Sequence, residues 1–110
     1  MTAEPIIQQM IDKFQRRMDK DPEAKAEVAQ ITKTLNIDLG EEAYSLKLEN
    51  ATVSDFKPEL LADADITIVT TAENLEKLLD GSLRPMKAYV TKKIVIKGKI
   101  QDIMFLKKFF

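Results

Sequence analysis

The segment Ala64–Gly98 constrains the fold most strongly, because strand and helix signals alternate within it. β-Branched residues fill positions 66–71 (ITIVTT), and their restricted χ1 rotamers favour a pleated strand. The sequence TTAE at Thr70–Glu73 has capping-box spacing and predicts the start of a helix. That helix is predicted to end at Gly81, and Pro85 is predicted to begin a second, short helix before a returning strand.

The preceding residues predict two helices and a meander of strands. Apolar residues at helical spacing predict an amphipathic helix over Glu4–Asp19, and a short helix is predicted over Glu23–Val28. The period then becomes two over residues 31–39 and 44–49, and a poorer strand follows at 52–56. Because alternating strands need one covered face, the chain predicts an α+β fold. We expect about five strands in an antiparallel or mixed sheet, with helices packed on one face.

Composition narrows the class of protein. A chain of 110 residues is predicted to form one domain, 1–110, that buries roughly two thirds of its unfolded surface. Seventeen basic and eighteen acidic residues give a net charge of −1, which does not suggest a nucleic-acid partner. The chain has no cysteine and no apolar run long enough to span a bilayer, so we expect a soluble, cytoplasmic protein.

Few residues suggest catalysis or metal binding. The chain lacks histidine, the commonest general base and metal ligand. Asp63 and Asp65 stand two apart, but residues that open a strand are typical of turns, and residues 38–42 lack the ligand order of a calcium loop. We therefore predict a protein that is not an enzyme and needs no metal or cofactor. A cluster of lysines has no aromatic platform for a single-stranded nucleic acid: Lys92, Lys93, Lys97 and Lys99.

An ordered set of residues in the central segment is shared with a known family. The set is Leu79-x-Gly81-x-Leu83-x-Pro85-Met86-x-Ala88-Tyr89, then Lys93-Ile94-x-Ile96-x-Gly98, and farther on Leu106. This combination resembles the sterol carrier protein type 2 domain family, small lipid-binding modules also called non-specific lipid-transfer domains, and the similarity covers nearly the whole chain. Two lysines depart from the pattern: Lys92 replaces a usual Gly, and Lys99 replaces a common Asp or Asn. A positive φ at Lys92 would carry a steric cost.

The resemblance implies an apolar tunnel between sheet and helices, whereas the hydrophobic pattern alone is equally compatible with a solid core. The implied function is non-catalytic binding and transfer of lipids, such as fatty acyl chains, acyl-CoA, or sterol-like and isoprenoid-like ligands. The alternative is a protein-interaction or accessory domain with the same fold and a closed core.

Apolar side chains of the helices are predicted to line this tunnel, although the same pattern is typical of ordinary core. Methionine suits a wall that repacks around different ligands, and the hydroxyl of Tyr89 is the best candidate for a polar contact. The predicted ligand-binding residues are Phe14, Met18, Leu75, Leu78, Leu79, Met86, Tyr89, Val90, Met104 and Phe105.

The C-terminal residues 100–110 are strongly apolar but too short to span a membrane. Lys107 and Lys108 stand beside Phe109 and Phe110, a combination that predicts transient contact with an anionic membrane surface. In the simpler interpretation, the two lysines extend from the edge of a core helix. Phe109 and Phe110 are equally compatible with closing the protein's own tunnel and with packing against a second chain, so the oligomeric state stays open.

Overall fold

The protein folds as a five-stranded mixed sheet with helices packed on one face, as predicted. The structure, a computed structural model, describes residues 2–99, 101 and 102. Within these residues, no helix combines the length and the apolar character needed to cross a membrane. The elements are, in chain order, α1 (Glu4–Lys20), α2 (Pro22–Ala29), β1 (Lys33–Asp38), β2 (Ala43–Glu49), β3 (Thr52–Lys57), β4 (Ile66–Val69), α3 (Ala72–Asp80), α4 (Pro85–Val90) and β5 (Val95–Lys97).

The strand order in the sheet is β3-β2-β1-β4-β5. The middle strand, β1, pairs antiparallel with β2 and parallel with β4, and the two edge strands pair antiparallel with their neighbours. Leu35 of β1 lies opposite both Leu46 and Ile66. Since residues paired in register share a face, these three side chains lie on the same side of the sheet, where the helices cover them.

Asp65 fixes the start of β4 to β1. Its Oδ2 accepts from the Thr34 backbone N–H at 2.9 Å and from the Thr34 hydroxyl at 3.1 Å. These hydrogen bonds, chiefly the backbone one, lower the pKa of Asp65 below its ordinary value. The carboxylate therefore stabilises the fold above the ordinary pKa of an aspartate, and this contribution is lost as the pH falls through the lowered value. Asp65 is a strand-opening residue, as the sequence indicates.

The start of α3 differs from the predicted cap by one residue. Thr71 is the N-cap, and its Oγ1 accepts from the Asn74 backbone N–H at 3.1 Å. The Thr70 hydroxyl instead donates to the Lys93 carbonyl at 2.8 Å, and the Asn74 side chain donates to the same oxygen at 3.1 Å. These bonds tie the start of α3 to the turn before β5, so a tertiary contact decides which threonine caps the helix.

Residues with left-handed backbone conformation end α3 and shape the turn before β5. Gly81 caps the end of α3 with φ 85°, as predicted. Lys92 has φ 60°, so the turn does require the left-handed conformation that a side chain makes costly. The cost is on the order of 1 kcal/mol for a residue with a Cβ.

Gly98 is a position where an added side chain would be poorly tolerated. Its φ is +155°, and a Cβ there would lie 3.0 Å from the Asp65 carbonyl oxygen. We expect Gly98→Ala to lower the free energy of unfolding by about 2–3 kcal/mol, measured by urea denaturation. Gly81→Ala is the matched control: φ is +85° but nothing lies within 4 Å of the added Cβ, so about 1 kcal/mol is expected. Equal losses of unfolding free energy in the two variants would show that the close approach of the Asp65 carbonyl oxygen does not add to the cost at Gly98.

The sheet face away from the helices is covered in part by the loop between β3 and β4. The Asn36 side chain donates to the Leu61 carbonyl at 2.9 Å and accepts from the Leu61 N–H at 2.8 Å. Asn36 and its register partner Ser45 are both buried. The period-two alternation over residues 44–49 predicts a strand with one buried face. Ser45 lies on the other face and is nevertheless buried, because the alternation carries no information about a loop that crosses the outer face.

Candidate functional site

Three clusters of buried apolar residues lie between the sheet and the helices. The first joins β4 to the α4 region and contains Ile66, Ile68, Leu83, Ala88 and Ile94. The second lies under α1 and α3 and contains Ile7, Ile37, Tyr44, Leu46 and Leu75. The third lies at the far end of α1 and contains Met18, Val28, Leu48 and Ala51.

Leu35 and Leu78 lie where the first two clusters meet. Each packs against both clusters, Leu35 from the middle strand and Leu78 from α3. Both are only partly buried, although Leu46 and Ile66, which flank Leu35 in the sheet, are buried. Protein interiors are normally close-packed, so a partly accessible leucine at the centre of a covered sheet face is unusual. Within residues 2–99, 101 and 102, the sheet and the helices therefore leave part of these two leucine side chains accessible.

Incompletely buried apolar side chains continue along α1. Met10 and Ile11 pack against the second cluster, and Phe14 packs against the third. All three remain partly buried, whereas Met18 at the end of this row is fully enclosed. These three side chains are therefore incompletely covered, as Leu35 and Leu78 are.

A charged pair joins β1 to helical residues 101 and 102. Lys33 shares the helix-covered face with Leu35, and its Nζ lies 3.0 Å from Asp102 Oδ1. Asp102 is 5% exposed. The hydrogen bond to Asp102 raises the pKa of Lys33 above its ordinary value, while burial opposes that rise. Lys33 therefore stays protonated and compensates the buried carboxylate, whose burial alone would be strongly destabilising.

Two acidic residues of the β1–β2 hairpin, Asp38 and Glu42, bind groups of the protein itself. Glu42 Oε1 accepts from the Tyr44 hydroxyl at 2.5 Å and from the Ala3 backbone N–H at 2.8 Å. These bonds, the Tyr44 one foremost, lower the pKa of Glu42, and the bond to Glu42 raises the pKa of Tyr44. Asp38 accepts from the Gly40 N–H at 2.9 Å. Across residues 2–99, 101 and 102, no three acidic side chains are arranged to hold a metal ion.

The residues predicted to bind ligand fall into three groups within the part of the chain that the structure describes. Met18 and Leu75 are buried, in the third and second clusters. Phe14, Leu78 and Leu79 are partly buried. The remaining C-terminal predictions lie outside the described residues: Met104 and Phe105, and the membrane-contact residues Lys107, Lys108, Phe109 and Phe110.

The third group, Met86, Tyr89 and Val90, lies on the surface of α4. Their exposed fractions are 51%, 40% and 71%. Ala88 is 0% exposed and is the residue of this helix that packs in the first cluster. The structure therefore separates these three side chains from the clusters between the layers, and their contact with a ligand stays a prediction.

Sequence reasoning named helix residues and passed over the strands that face them. Leu35 and Ile96 pack from the sheet, and Leu83 lies in the first cluster just before α4. The period-two alternation already placed Leu35 on one side with Ile37, so a signal for its covered position was present.

The sequence profile of the SCP-2 sterol transfer family matches residues 11–110. The chain belongs to the SCP-2 sterol transfer family. This confirms the resemblance seen in the central motif and places the chain among proteins of lipid binding and transport. No curated protein matches the chain significantly.

Solved structures share the SCP-2 fold with this chain at low sequence identity. Palmitated SCP2L2 from Aedes aegypti, solved by NMR, has a TM-score of 0.67 and 19% identity over 93% of this chain and 91% of its own. UbiJ-SCP2, a ubiquinone synthesis protein, has a TM-score of 0.67 and 19% identity over 99% of this chain and 92% of its own. The sec-alkylsulfatase Pisa1 from Pseudomonas sp. has a TM-score of 0.64 and 17% identity over 78% of this chain, which spans only 14% of the sulfatase. At such identities the likeness shows the fold alone.

Proposed function

We propose that the protein binds a long apolar lipid between its sheet and its helices and transfers it without catalysing a reaction. The partial exposure of Leu35 and Leu78 where two clusters meet is the observation that supports this proposal. An apolar chain in that place would cover surface on both layers and would complete its burial. Palmitated SCP2L2 from Aedes aegypti supports a fatty acid as the first ligand to test.

Apolar burial alone suffices for useful affinity. An acyl chain of about sixteen methylenes at roughly 0.8 kcal/mol each contributes about 13 kcal/mol before losses. Immobilisation of the chain takes back several kcal/mol, which leaves about micromolar or tighter binding. Because this energy needs no polar contact, acyl-CoA, sterol-like and isoprenoid-like ligands are further candidates. The name of UbiJ-SCP2, a ubiquinone synthesis protein, supports including the isoprenoid-like class.

We place the ligand against α1, α3 and the middle of the sheet. Leu78 and Leu35 contact it from opposite layers, and the row of partly buried side chains on α1 extends the site toward Phe14. The exposed residues of α4 are assigned to the surface, and the assignments of Met104 and Phe105 rest on the sequence alone.

The first test is native mass spectrometry combined with thermal unfolding. We expect a discrete added mass in freshly purified protein that disappears after organic extraction. Palmitate added to the extracted protein at 100 times its Kd should stabilise the fold by about 2.7 kcal/mol, a rise in Tm of roughly 10 °C. A bare protein mass, together with no thermal shift from fatty acids, acyl-CoAs or sterols, would refute lipid binding. That result would favour a protein-interaction domain with a closed core.

Contact of Lys107, Lys108, Phe109 and Phe110 with a membrane is a separate proposal, drawn from the sequence. We expect the double variant Lys107→Glu and Lys108→Glu to slow lipid transfer to anionic vesicles several-fold, because each basic residue near an anionic surface contributes about 1 kcal/mol. Transfer to neutral vesicles should not change. An unaltered rate to anionic vesicles would remove these lysines from the transfer step.

A further inference from the structure

Positive charge is concentrated in one segment of the chain. Residues 81–101 contain six of the seventeen basic residues and none of the eighteen acidic ones. The rest of the chain has eleven basic and eighteen acidic residues and a net charge of −7, whereas the net charge of the whole chain is −1. All six are exposed, and none forms an ion pair with an acidic side chain of the described residues. They are Arg84, Lys87, Lys92, Lys93, Lys97 and Lys99.

The outward side of α4, in the middle of this segment, is apolar. Ala88 faces the first cluster, and at 100° per residue Met86 and Val90 fall on the opposite side of the helix, one turn apart. Tyr89 flanks them, and all three side chains are exposed. We call this surface the α4 face and define it as Met86, Tyr89 and Val90 together with the basic residues Arg84, Lys87, Lys92 and Lys93.

The α4 face is held in place by backbone hydrogen bonds. The N–H groups of Lys93 and Ile94 donate to the Ala88 carbonyl at 2.9 and 3.2 Å. The Lys93 carbonyl in turn accepts from Thr70 and Asn74 at the start of α3. The backbone that carries these apolar and basic residues is therefore fixed to the rest of the fold.

We propose that the α4 face docks on an anionic lipid bilayer. Its basic residues complement the negative charge of the lipid headgroups. Its apolar residues are buried at the boundary between the headgroups and the acyl chains. An acidic protein surface would satisfy the same charges but would offer no apolar phase to the exposed side chains of Met86 and Val90. The proposal goes beyond lipid binding between the layers, because it uses side chains that point away from that site and acts with or without a ligand in it.

A tryptophan placed on the α4 face tests insertion directly, since the chain has no tryptophan. With vesicles of phosphatidylglycerol and phosphatidylcholine, we expect Val90→Trp to show a blue-shifted emission that brominated lipids quench. Leu60→Trp is the matched control, because Leu60 is 48% exposed, follows Glu59 and lies outside the basic segment. Its emission should not change. Val90→Trp emission that vesicles leave unaltered would overturn the proposal.

A charge reversal tests the basic residues. Each basic residue near an anionic surface contributes about fivefold in binding, so Lys87→Glu combined with Lys93→Glu should reduce vesicle partitioning at least tenfold. The control, Lys13→Glu with Lys25→Glu, changes the net charge equally at exposed positions of α1 and α2 and should cost less than threefold. Salt at 0.5 M should weaken binding of the wild type, because it screens exposed charges. Equal losses in the two double variants would refute a role for the α4 face.

Two further measurements keep the proposals distinguishable. Thermal unfolding by circular dichroism should show that both double variants remain folded. Palmitate affinity measured without vesicles should be unchanged in them, since none of these lysines contacts the site between the layers. Vesicle binding without palmitate binding would refute the lipid-binding proposal alone. Wild-type protein that does not bind anionic vesicles at low salt would refute membrane docking and would leave an acidic protein surface as the partner.

Discussion

Replacing Leu35 with tryptophan is expected to reduce palmitate affinity at least tenfold while the protein stays folded. Leu35 projects from the middle strand to the place where two clusters meet, and it is only partly buried there. An indole in that position would occupy the space of about three methylenes of the ligand. At roughly 0.8 kcal/mol each, their loss corresponds to about a fiftyfold weaker Kd. Titration with palmitate, followed by native mass spectrometry, measures the change.

The stability of the same variant distinguishes an open site from a solid core. If apolar surface is uncovered at Leu35, the larger side chain is accommodated and the free energy of unfolding changes by less than about 1 kcal/mol. Overpacking of a filled core would instead cost about 1–3 kcal/mol. Leu60→Trp adds the same group at the surface and should leave affinity and stability unchanged. A destabilised Leu35→Trp protein with normal palmitate affinity would contradict the proposed location of the ligand.

Ile66→Ala is expected to destabilise the fold by about 3–5 kcal/mol. Ile66 is 0% exposed and belongs to the first cluster, where it lies beside the helices and opposite Leu35. Removing three carbons from such a site loses their transfer free energy and leaves a cavity. Since small domains are stable by only about 5–15 kcal/mol, the loss should be visible as a much lower urea midpoint.

The control for this variant is Val90→Ala at a position that is 71% exposed. It should change the free energy of unfolding by no more than about 0.5 kcal/mol. A loss below about 1 kcal/mol for Ile66→Ala would mean that the layers collapse around the missing side chain. That outcome would argue that this part of the interior is adaptable, which in turn would raise the range of ligands it can enclose.

Local signals predicted the segment from β4 to β5 well, because each depends on a few neighbouring residues. Gly81 ends α3 and Pro85 begins α4 where their backbone preferences place them. Such signals could not decide whether Thr70 or Thr71 caps the helix, because the Thr70 hydroxyl donates to the carbonyl of Lys93, which is distant in sequence. Strand order was equally beyond them, because the parallel pairing of β1 with β4 joins residues far apart in sequence.

The candidate site was predicted less completely than the fold. Phe14, Met18, Leu75 and Leu78 lie in or against the buried clusters because amphipathic helices of this length define an inward side, whereas Leu79 belongs to none of them. The helix α4 has only six residues, and Met86, Ala88, Tyr89 and Val90 surround most of it, so its pattern does not define an inward face. The smallest of these side chains, Ala88, packs against the first cluster and so determines which side of α4 faces the interior. The three larger side chains are left exposed.

The central parallel pair also determines how the chain must fold. The strands β1, β2 and β3 follow one another as an antiparallel meander and form contacts between near neighbours in sequence. The β4–β5 half joins them only when Asp65 reaches Thr34, 31 residues earlier in the chain. Closing so long a loop costs entropy before any contact repays it, so we expect the pairing of β1 with β4 to form more slowly than the meander. Leu35 and Leu78 come together only after that pairing, so we expect the proposed ligand site to form late in folding.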